Sequence, residues 1–403
     1  MRAAQRLAGR RKRLKLWKRF PIRDARKTDR FGFRILSRVS LALDGCPDQA
    51  TEVQDMINKP IFVVGSPRSG TSILTWCLGQ HPNILPLEES SWMGDLAIDL
   101  AIRYQIGTMR GDESLLSVMD VQREEFFATF GQTINELILR HRVDLDRKRW
   151  ERSATPNAVL GPKTRSRLAL NPKARWVDGT PEYSFHICGL RKLFPKALFI
   201  HIIRDVTSVV RSMLNFHRVS GRHLVANEQE AYDYWLRTVS SCLLAERAYG
   251  PRVVFRLRYS DLVNEPEAAF RSLLNFLGEP YASECLKPLQ KRINSSNVPA
   301  DFDASDPQTD PAVVEKVRQL SAELEKESKH VEPSTMATDE IETIFDQRVR
   351  DVSQLEEAVK AKDLVILRLQ EEVKTKDLVI LGLHKRLSRR PVEILKRILG
   401  GNR

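Results

Sequence analysis

Residues 65–72 read G-S-P-R-S-G-T-S, which is the spacing of a phosphate-binding loop. Such loops follow the pattern G-x-x-x-x-G-K-[S/T], and their lysine reaches the β- and γ-phosphates of a nucleoside triphosphate. Here Thr71 stands at the lysine position. The backbone N–H groups of such a loop, at the start of a helix, still bind an anion. The pattern therefore predicts a ligand with a shorter charged chain, held by Arg68 and by the hydroxyls of Thr71 and Ser72.

The segments around this loop alternate between two apolar patterns. Short runs rich in Val, Ile and Phe predict buried strands at 61–64, 175–177, 197–203 and 252–258. Amphipathic periodicity predicts helices between them at 71–80, 184–193, 205–216, 227–248 and 266–277. The alternation indicates an α/β fold, a parallel β-sheet flanked by helices. Residues 90–160 are mainly helical in pattern, and we interpret them as an insertion on the acceptor side of the site.

The positive charge of the chain is concentrated at its N-terminus. The 403 residues carry a net charge of +13, but residues 1–30 hold thirteen Lys and Arg against two Asp. The basic character therefore belongs to an N-terminal arm (residues 1–50) and not to the rest of the chain, so no nucleic-acid partner is expected. The arm is interpreted either as a basic amphipathic helix in peripheral contact with an anionic membrane or as a solvated arm.

The cysteines and the apolar runs predict a compartment. Five cysteines are scattered without C-x-x-C spacing, which is typical of reduced thiols. No apolar run approaches the roughly 18 residues of a membrane span, and the basic N-terminus lacks the apolar core of a secretory signal. A cytoplasmic protein is expected, with membrane association through the arm as the alternative. The histidines are isolated from one another, so no metal site is predicted.

The C-terminal part contains an internal repeat. Residues 294–340 are interpreted as a linker with a short helix, 341–390 as a coiled coil and 391–403 as a basic tail. Within the coiled coil, "VKAKDLVILRLQEE" (359–372) is followed at once by "VKTKDLVILGLHKR" (373–386).

The repeat has the spacing of heptads. With Val352 at position a, the a positions are Val352, Val359, Ile366, Val373, Ile380 and Leu387. The d positions are Leu355, Lys362, Leu369, Lys376 and Leu383. β-Branched residues at a with Leu at alternate d positions favour a parallel coiled coil, and hence a homo-oligomer. The alternative is one amphipathic helix folded back on the domain.

The segment "PIFVVGSPRSGTSILTWCLGQHPNI" (60–84) resembles the 5′-phosphosulfate-binding loop of sulfotransferases that use 3′-phosphoadenosine 5′-phosphosulfate (PAPS). PAPS has one phosphate and one sulfuryl group on its 5′ side, which accounts for the missing lysine. The resemblance, closest to the bacterial and tyrosylprotein sulfotransferase branch, implies a P-loop-like sulfotransferase domain over residues 58–293. It adds Ser69 and Gly70 to the residues expected to contact the nucleotide.

Two further segments follow the pattern of this family. Its members bind the 3′-phosphate with an Arg at a strand end and a Ser eight residues later. In "FIHIIRDVTSVVRSML" these positions are Arg204 and Ser212, and a guanidinium and a hydroxyl both suit a phosphate. The segment "RYSDLVNEPEAAFRSLLNFLG" (258–278) implies that Tyr259 lies near the nucleotide.

The resemblance also implies catalytic residues. The family's base aligns with Glu89 in "HPNILPLEESS", and Glu88 is the alternative. A carboxylate suits this role when partial burial raises its pKa. Many relatives carry a Lys before Thr-Pro, but this chain has Gly179 there, so Lys163 is expected to supply the cation instead. Ser296 is a weaker candidate for a nucleotide contact.

These expectations define an enzyme and two alternatives. The enzyme would transfer a sulfuryl group from PAPS, without a metal, to a hydroxyl of a glycan, lipid, small molecule or peptide. One alternative is a different P-loop enzyme such as a small-molecule kinase, which would need the loop lysine and an acidic Mg²⁺ ligand. The other is a catalytically degenerate scaffold with this fold, which the Gly179 departure favours.

Overall fold

The computed structural model describes residues 59–153, 173–290, 298–299, 302, 305–326 and 332–399, and for 146, 149–153 and 387–399 it describes the backbone alone. Five strands are found: β1 (Ile61–Val64), β2 (Ile84–Pro86), β3 (Arg175–Asp178), β4 (Leu198–Ile203) and β5 (Val254–Arg258). Short 3₁₀ helices span Gly111–Glu113, Pro181–Phe185 and Ser283–Gln290.

Thirteen α-helices are described: α1 (Thr71–Leu78), α2 (Trp92–Thr108), α3 (Leu115–Val118), α4 (Arg123–Arg140), α5 (Arg142–Ser153), α6 (Ile187–Leu193), α7 (Val206–Leu214), α8 (His217–Ser220), α9 (Glu228–Tyr249), α10 (Tyr259–Asn264), α11 (Pro266–Leu277), α12 (Pro311–Lys326) and α13 (Thr335–Leu399). No helix among these residues is long and apolar enough to cross a membrane.

The strands form one parallel sheet in the order β2-β3-β1-β4-β5. All four residues of β1, the central strand, are fully buried because helices cover both faces of the sheet. One apolar cluster, around Phe62 and Trp176, lies against α2, α4 and α6. A second, around Val63 and Phe270, lies against α1 and α11. The sheet therefore aligns the carboxyl ends of β1, β3 and β4 at one edge, where the predicted site residues follow.

The structure confirms the predicted α/β fold. Four of its strands and five of its helices lie within three residues of the bounds expected from the apolar patterns. Strand β2 was not predicted, because its three residues are too few to show a period. The region 90–153 is helical, as its pattern indicated.

Helix α13 begins at Thr335, six residues before the predicted start of the coiled coil. Its first turns pack on the domain through Ala337, Ile341, Phe345 and Val349, which are at most 7% exposed. The ion pairs Lys192–Glu342 (2.7 Å) and Arg123–Asp346 (2.7 Å) hold the same segment. From Leu355 to Leu383 its large apolar side chains are exposed.

Several sequence expectations fall on residues that the structure does not describe. They are the basic arm 1–50, Lys163 and Ser296, and for most of the tail 391–403 it describes only the backbone.

Candidate active site

The phosphate-binding loop connects the end of β1 to the start of α1. Three of its residues have positive φ angles: Gly65 (142°), Arg68 (71°) and Gly70 (110°). At Gly70 a Cβ atom would lie 2.7 Å from the Tyr259 ring, so only glycine fits this contact. The loop is thereby held against Tyr259, the residue that the sequence placed near the nucleotide.

The loop carries polar groups that have no protein partner. Ser69 is 1% exposed, and its Oγ atom has no hydrogen-bond partner among the described residues. Helix α1 begins at the buried Thr71, and Gly70 before it has no side chain that could cap the helix. A buried hydroxyl without a partner and the N–H groups at a helix N-terminus both favour binding of an anion.

Two arginines, predicted from separate segments, converge beside this loop. Arg68 donates from Nε to Ser212 Oγ (3.1 Å), and its guanidinium lies 4.9 Å from the centroid of the Phe216 ring. Arg204 donates from Nη1 to the backbone oxygen of Arg68 (3.2 Å) and lies 4.4 Å from the centroid of the Tyr259 ring. The structure therefore brings the loop, the strand-end arginine and the helical serine into one cluster.

The charges of this cluster act on one another. Burial lowers the pKa of Arg68, the negative charge of Glu89 raises it, and the positive charge of Arg204 lowers it further. A guanidinium stays protonated at such shifts, so Arg68 and Arg204 give the cluster two fixed positive charges. Such a pair suits an anion with more than one charged group.

Glu89 lies at the N-terminal end of α1. Ser72 Oγ donates to Glu89 Oε1 at 2.7 Å. The carboxylate therefore meets the loop at the end where α1 begins. Glu89 is exposed, so the burial that the sequence analysis expected for a base is not found, and Glu88 beside it is exposed as well.

A turn that follows β3 holds the backbone beside Glu89. The backbone N–H of Ser90 donates to Thr180 Oγ1 (2.7 Å). Thr180 in turn donates to Asp178 Oδ1 from both its hydroxyl (2.6 Å) and its backbone N–H (3.0 Å). Asp178 and Thr180 thus hold the residue next to Glu89, a role that the sequence analysis missed. The signal available was the D-x-T-P sequence after a strand, in which an Asp side chain accepts from the backbone two residues later.

Asp178 is fully buried, and its Oδ2 atom has no hydrogen-bond partner among the described residues. Burial raises the pKa of this carboxyl to about 7, against the lowering effect of the two hydrogen bonds from Thr180, and Glu89 adds to the rise. The charge of Asp178 acts in turn on Tyr183. Burial is the largest cause that raises the pKa of the Tyr183 hydroxyl, and Asp178 is the next. Below about pH 7 this carboxyl is therefore mostly protonated in the folded chain.

This shift predicts a pH-dependent stability difference. The pKa of Asp178 is about 7 in the folded chain against an ordinary value of 3.8. The free energy of unfolding therefore falls as the pH rises from about 4 to about 7, because the unfolded chain releases this proton more readily. Asp178→Asn keeps the oxygen that accepts from Thr180 and carries no ionisable proton. The melting temperature of the variant minus that of the wild type should therefore rise by roughly 5 °C between pH 4.5 and pH 7.5. Thermal melts at both values check this, and a difference that stays constant or falls would contradict it.

Gly179 is buried against α1. A Cβ atom there would lie 2.0 Å from Oγ1 of Thr75, whose hydroxyl donates to the backbone oxygen of Thr71 (2.9 Å). A lysine at this position would displace Thr75. Gly179 is therefore the residue that fits beside Thr75, and this turn supplies no cation at the lysine position of the family pattern.

We expect Gly179→Ala to destabilise the protein by roughly 1–3 kcal/mol, the usual cost of overpacking. Gly382→Ala is the matched control, because Gly382 lies in exposed helix with nothing within 4 Å of an added Cβ. That substitution should stabilise its helix by roughly 0.5–1 kcal/mol. Denaturant unfolding of both variants measures the contrast, and equal midpoints would show that the contact at Gly179 is not tight.

The structure places eight of the predicted site residues in one region: Arg68, Ser69, Gly70, Thr71, Ser72, Glu89, Arg204 and Ser212, with Tyr259 against the loop. Lys163 and Ser296 lie outside the described residues. No cluster of His, Cys, Asp and Glu that could hold a metal ion occurs within the part of the chain that the structure describes.

Comparison with known proteins identifies the family. A model described as the Sulfotransferase family matches residues 60–283. The protein-tyrosine sulfotransferase 1 of Danio rerio is 24% identical over 226 residues, or 55% of this chain and 53% of that protein. The omega-hydroxy-beta-dihydromenaquinone-9 sulfotransferase Stf3 of Mycobacterium tuberculosis is 32% identical over 106 residues, or 24% of this chain and 27% of that protein.

Among solved structures, sulfotransferase STF1 of Mycobacterium tuberculosis is similar, with a TM-score of 0.37 and 20% identity over 68% of this chain and 80% of that chain. The chain spans about half or less of the length of the two named curated relatives. The family model, however, covers more than half of the 403 residues. The chain belongs to the sulfotransferase family.

Proposed function

We propose that this sulfotransferase transfers a sulfuryl group from PAPS to a hydroxyl of an acceptor. The observation that carries the proposal is the 2.7 Å hydrogen bond from Ser72 to Glu89. This hydrogen bond brings a carboxylate to the end of an anion-binding loop. A base must lie there if it is to take the proton of a hydroxyl that attacks a sulfuryl group bound in the loop.

The residues of the site fit the donor nucleotide. The 5′ side would be held by the loop N–H groups, by the unpaired hydroxyl of Ser69 and by Arg68. The 3′-phosphate would be held by Arg204 and Ser212, which lie beside Arg68. Bound there, the nucleotide would supply a sulfuryl group activated by its bond to a phosphate. A buried hydroxyl without a partner is the feature of this chain that such a ligand would satisfy.

In this mechanism Glu89 accepts the proton of the acceptor hydroxyl while the hydroxyl oxygen bonds to sulfur. The bond between sulfur and the phosphate oxygen of PAPS would break at the same time, releasing 3′-phosphoadenosine 5′-phosphate. The loop N–H groups and the guanidinium of Arg68 stabilise the negative charge that develops on the oxygen between sulfur and phosphorus. Lys163 remains our candidate for a further cation at that oxygen. No step requires a metal ion.

Thr180 acts as a positioning residue in this proposal, because it holds the Ser90 backbone next to Glu89. Thr180→Val keeps the shape of the side chain and removes its hydroxyl, so turnover should fall by roughly 10–100-fold as the base loses its alignment. Thr180→Ser keeps the hydroxyl and should retain turnover within about 2-fold. Initial rates of labelled-donor turnover test the pair, with nucleotide affinity as the readout that should not change. Equal rates for the two variants would remove the positioning role.

The function is tested by two measurements on the full chain. Calorimetric titration should show tighter binding of 3′-phosphoadenosine 5′-phosphate than of ATP–Mg²⁺, because Thr71 replaces the lysine that a triphosphate requires. Labelled PAPS should then transfer its label to at least one acceptor in a panel of glycans, lipids, phenols and peptides. Tighter ATP binding would support a kinase-like enzyme, and nucleotide binding without transfer would support a degenerate scaffold.

Two further expectations remain proposals. The protein is proposed to be cytoplasmic, and the basic arm 1–50 to reach an anionic membrane surface. Liposome flotation with and without anionic lipid, comparing the full chain with a form lacking residues 1–50, tests the membrane contact.

A further inference from the structure

The part of helix α13 beyond Val352 exposes an unusual amount of apolar surface. Thirteen large apolar side chains between Leu355 and Leu383 are each at least 50% exposed. They are Leu355, Val359, Leu364, Val365, Ile366, Leu367, Leu369, Val373, Leu378, Val379, Ile380, Leu381 and Leu383. Together they present on the order of 1,000 Å² of apolar surface. That is more than the roughly 800 Å² that one partner contributes to a standard interface, and more than a monomer usually exposes in one patch.

Seven of these side chains form a seam along the helix. They occupy a and d positions: Leu355, Val359, Ile366, Leu369, Val373, Ile380 and Leu383. A seam of this spacing is the surface that supercoiled helices bury between them, with β-branched residues at a and Leu at d in parallel pairs. We call it the a/d seam.

The charges beside the a/d seam indicate which occupant it takes. Lys362 and Lys376 interrupt the seam at d positions, and each is followed at the e position by an aspartate, Asp363 or Asp377. In a parallel pair in register, a d side chain packs into a hole that includes the e residue of the facing helix. Each lysine would then lie beside the aspartate of the other copy, twice on each helix. The seam is thus complementary to itself in charge as well as in shape.

We propose that two or more copies of this chain associate in parallel, in register, through the a/d seam of residues 355–383. The helix is fixed to its own domain by the buried Phe345 and Val349 and by the Lys192–Glu342 and Arg123–Asp346 ion pairs. Parallel pairing therefore places the sulfotransferase domains at the same end of the stalk. The proposal is independent of the reaction that the domain catalyses.

Light scattering of the full chain measures the association directly. We expect a mass of at least two chains for the wild type and of one chain for Ile366→Asp/Ile380→Asp, which places charges at two a positions. The control Leu367→Asp/Leu381→Asp adds the same charges at b positions, which lie outside the a/d seam, and should keep the mass of the wild type. Retained binding of 3′-phosphoadenosine 5′-phosphate by both variants shows that the domain is folded.

Orientation is tested by a cysteine at one d position. In a parallel pair in register, Leu383→Cys at the end of the seam faces its own copy, so mild oxidation should link two chains covalently. In an antiparallel pair with the seams overlapped, residue 383 lies near residue 355 of the other copy, and no link should form at that position. The described native cysteines are buried and give a low background. A monomeric wild type, an equal loss of association in the b-position control, or failure of the Leu383→Cys chains to link would each overturn the proposal.

Discussion

Glu89→Gln should lower turnover by roughly 10²–10⁴-fold, the range expected for removing a general base. The glutamine keeps a side-chain oxygen that accepts the hydrogen bond from Ser72, which now measures 2.7 Å to Glu89. The loop and the N–H groups at the start of α1 should therefore keep their arrangement. What is lost is the ability to take the proton of the acceptor hydroxyl. Labelled-donor turnover measures the loss, and calorimetric binding of 3′-phosphoadenosine 5′-phosphate should change little.

The neighbouring carboxylate provides the control for this experiment. Glu88 is exposed like Glu89 and carries the same charge, and it is Glu89 that accepts the hydrogen bond from Ser72 of the loop. Glu88→Gln should therefore change turnover by less than about 10-fold. A larger loss in Glu88→Gln would transfer the role to Glu88, and unchanged turnover in both variants would remove this mechanism.

The sequence predicted the sheet well because its strands are buried on both faces. Such strands read as unbroken apolar runs, and β1 and β4 are of this kind. Strand β2 could not be found in this way, since Ile84–Pro86 is three residues long and pairs only with β3 at the edge of the sheet. Local patterns thus predict central strands and miss short edge strands.

The site residues that the sequence predicted are those that belong to short motifs. The loop and the Arg204–Ser212 pair have fixed spacings, and the structure brings them together. Asp178 and Thr180 were missed because their role depends on a contact with Ser90, about ninety positions away in the chain. The same holds for Gly179, whose fit against Thr75 is a matter of packing between β3 and α1.

The long helix shows a different limit of the sequence. We predicted one coiled coil over residues 341–390, whereas the structure divides the described apolar side chains of the helix between two surfaces. Ala337, Ile341, Phe345 and Val349 pack against α2, α6 and α9, and the large apolar side chains from Leu355 to Leu383 are exposed. Both stretches are apolar at helical spacing, and that alone does not say which of them packs on the domain.

The largest effect on nucleotide binding is expected from the two arginines. Arg68→Ala and Arg204→Ala should each weaken binding of 3′-phosphoadenosine 5′-phosphate by roughly 10–150-fold, equivalent to 1.5–3 kcal/mol for a hydrogen bond to a charged group. Arg204→Lys keeps the charge but not the planar fork, so it should lie between Arg204→Ala and the wild type. Arg271→Ala is the control, because Arg271 pairs with Glu267 on the surface of α11.

The double variant of these arginines is the sharper measurement. Arg204 donates to the backbone oxygen of Arg68, which itself has a φ of 71°, so each arginine also supports the position of the other. Their effects should therefore not add: Arg68→Ala/Arg204→Ala should lose at least about 0.5 kcal/mol less than the sum of the single losses. Calorimetry of the four proteins of this cycle gives the coupling. Additive losses would mean that the two arginines bind separate parts of the nucleotide independently. If both single variants bind like the wild type, the nucleotide is not held by this cluster, and the assignment of PAPS as the donor fails with it.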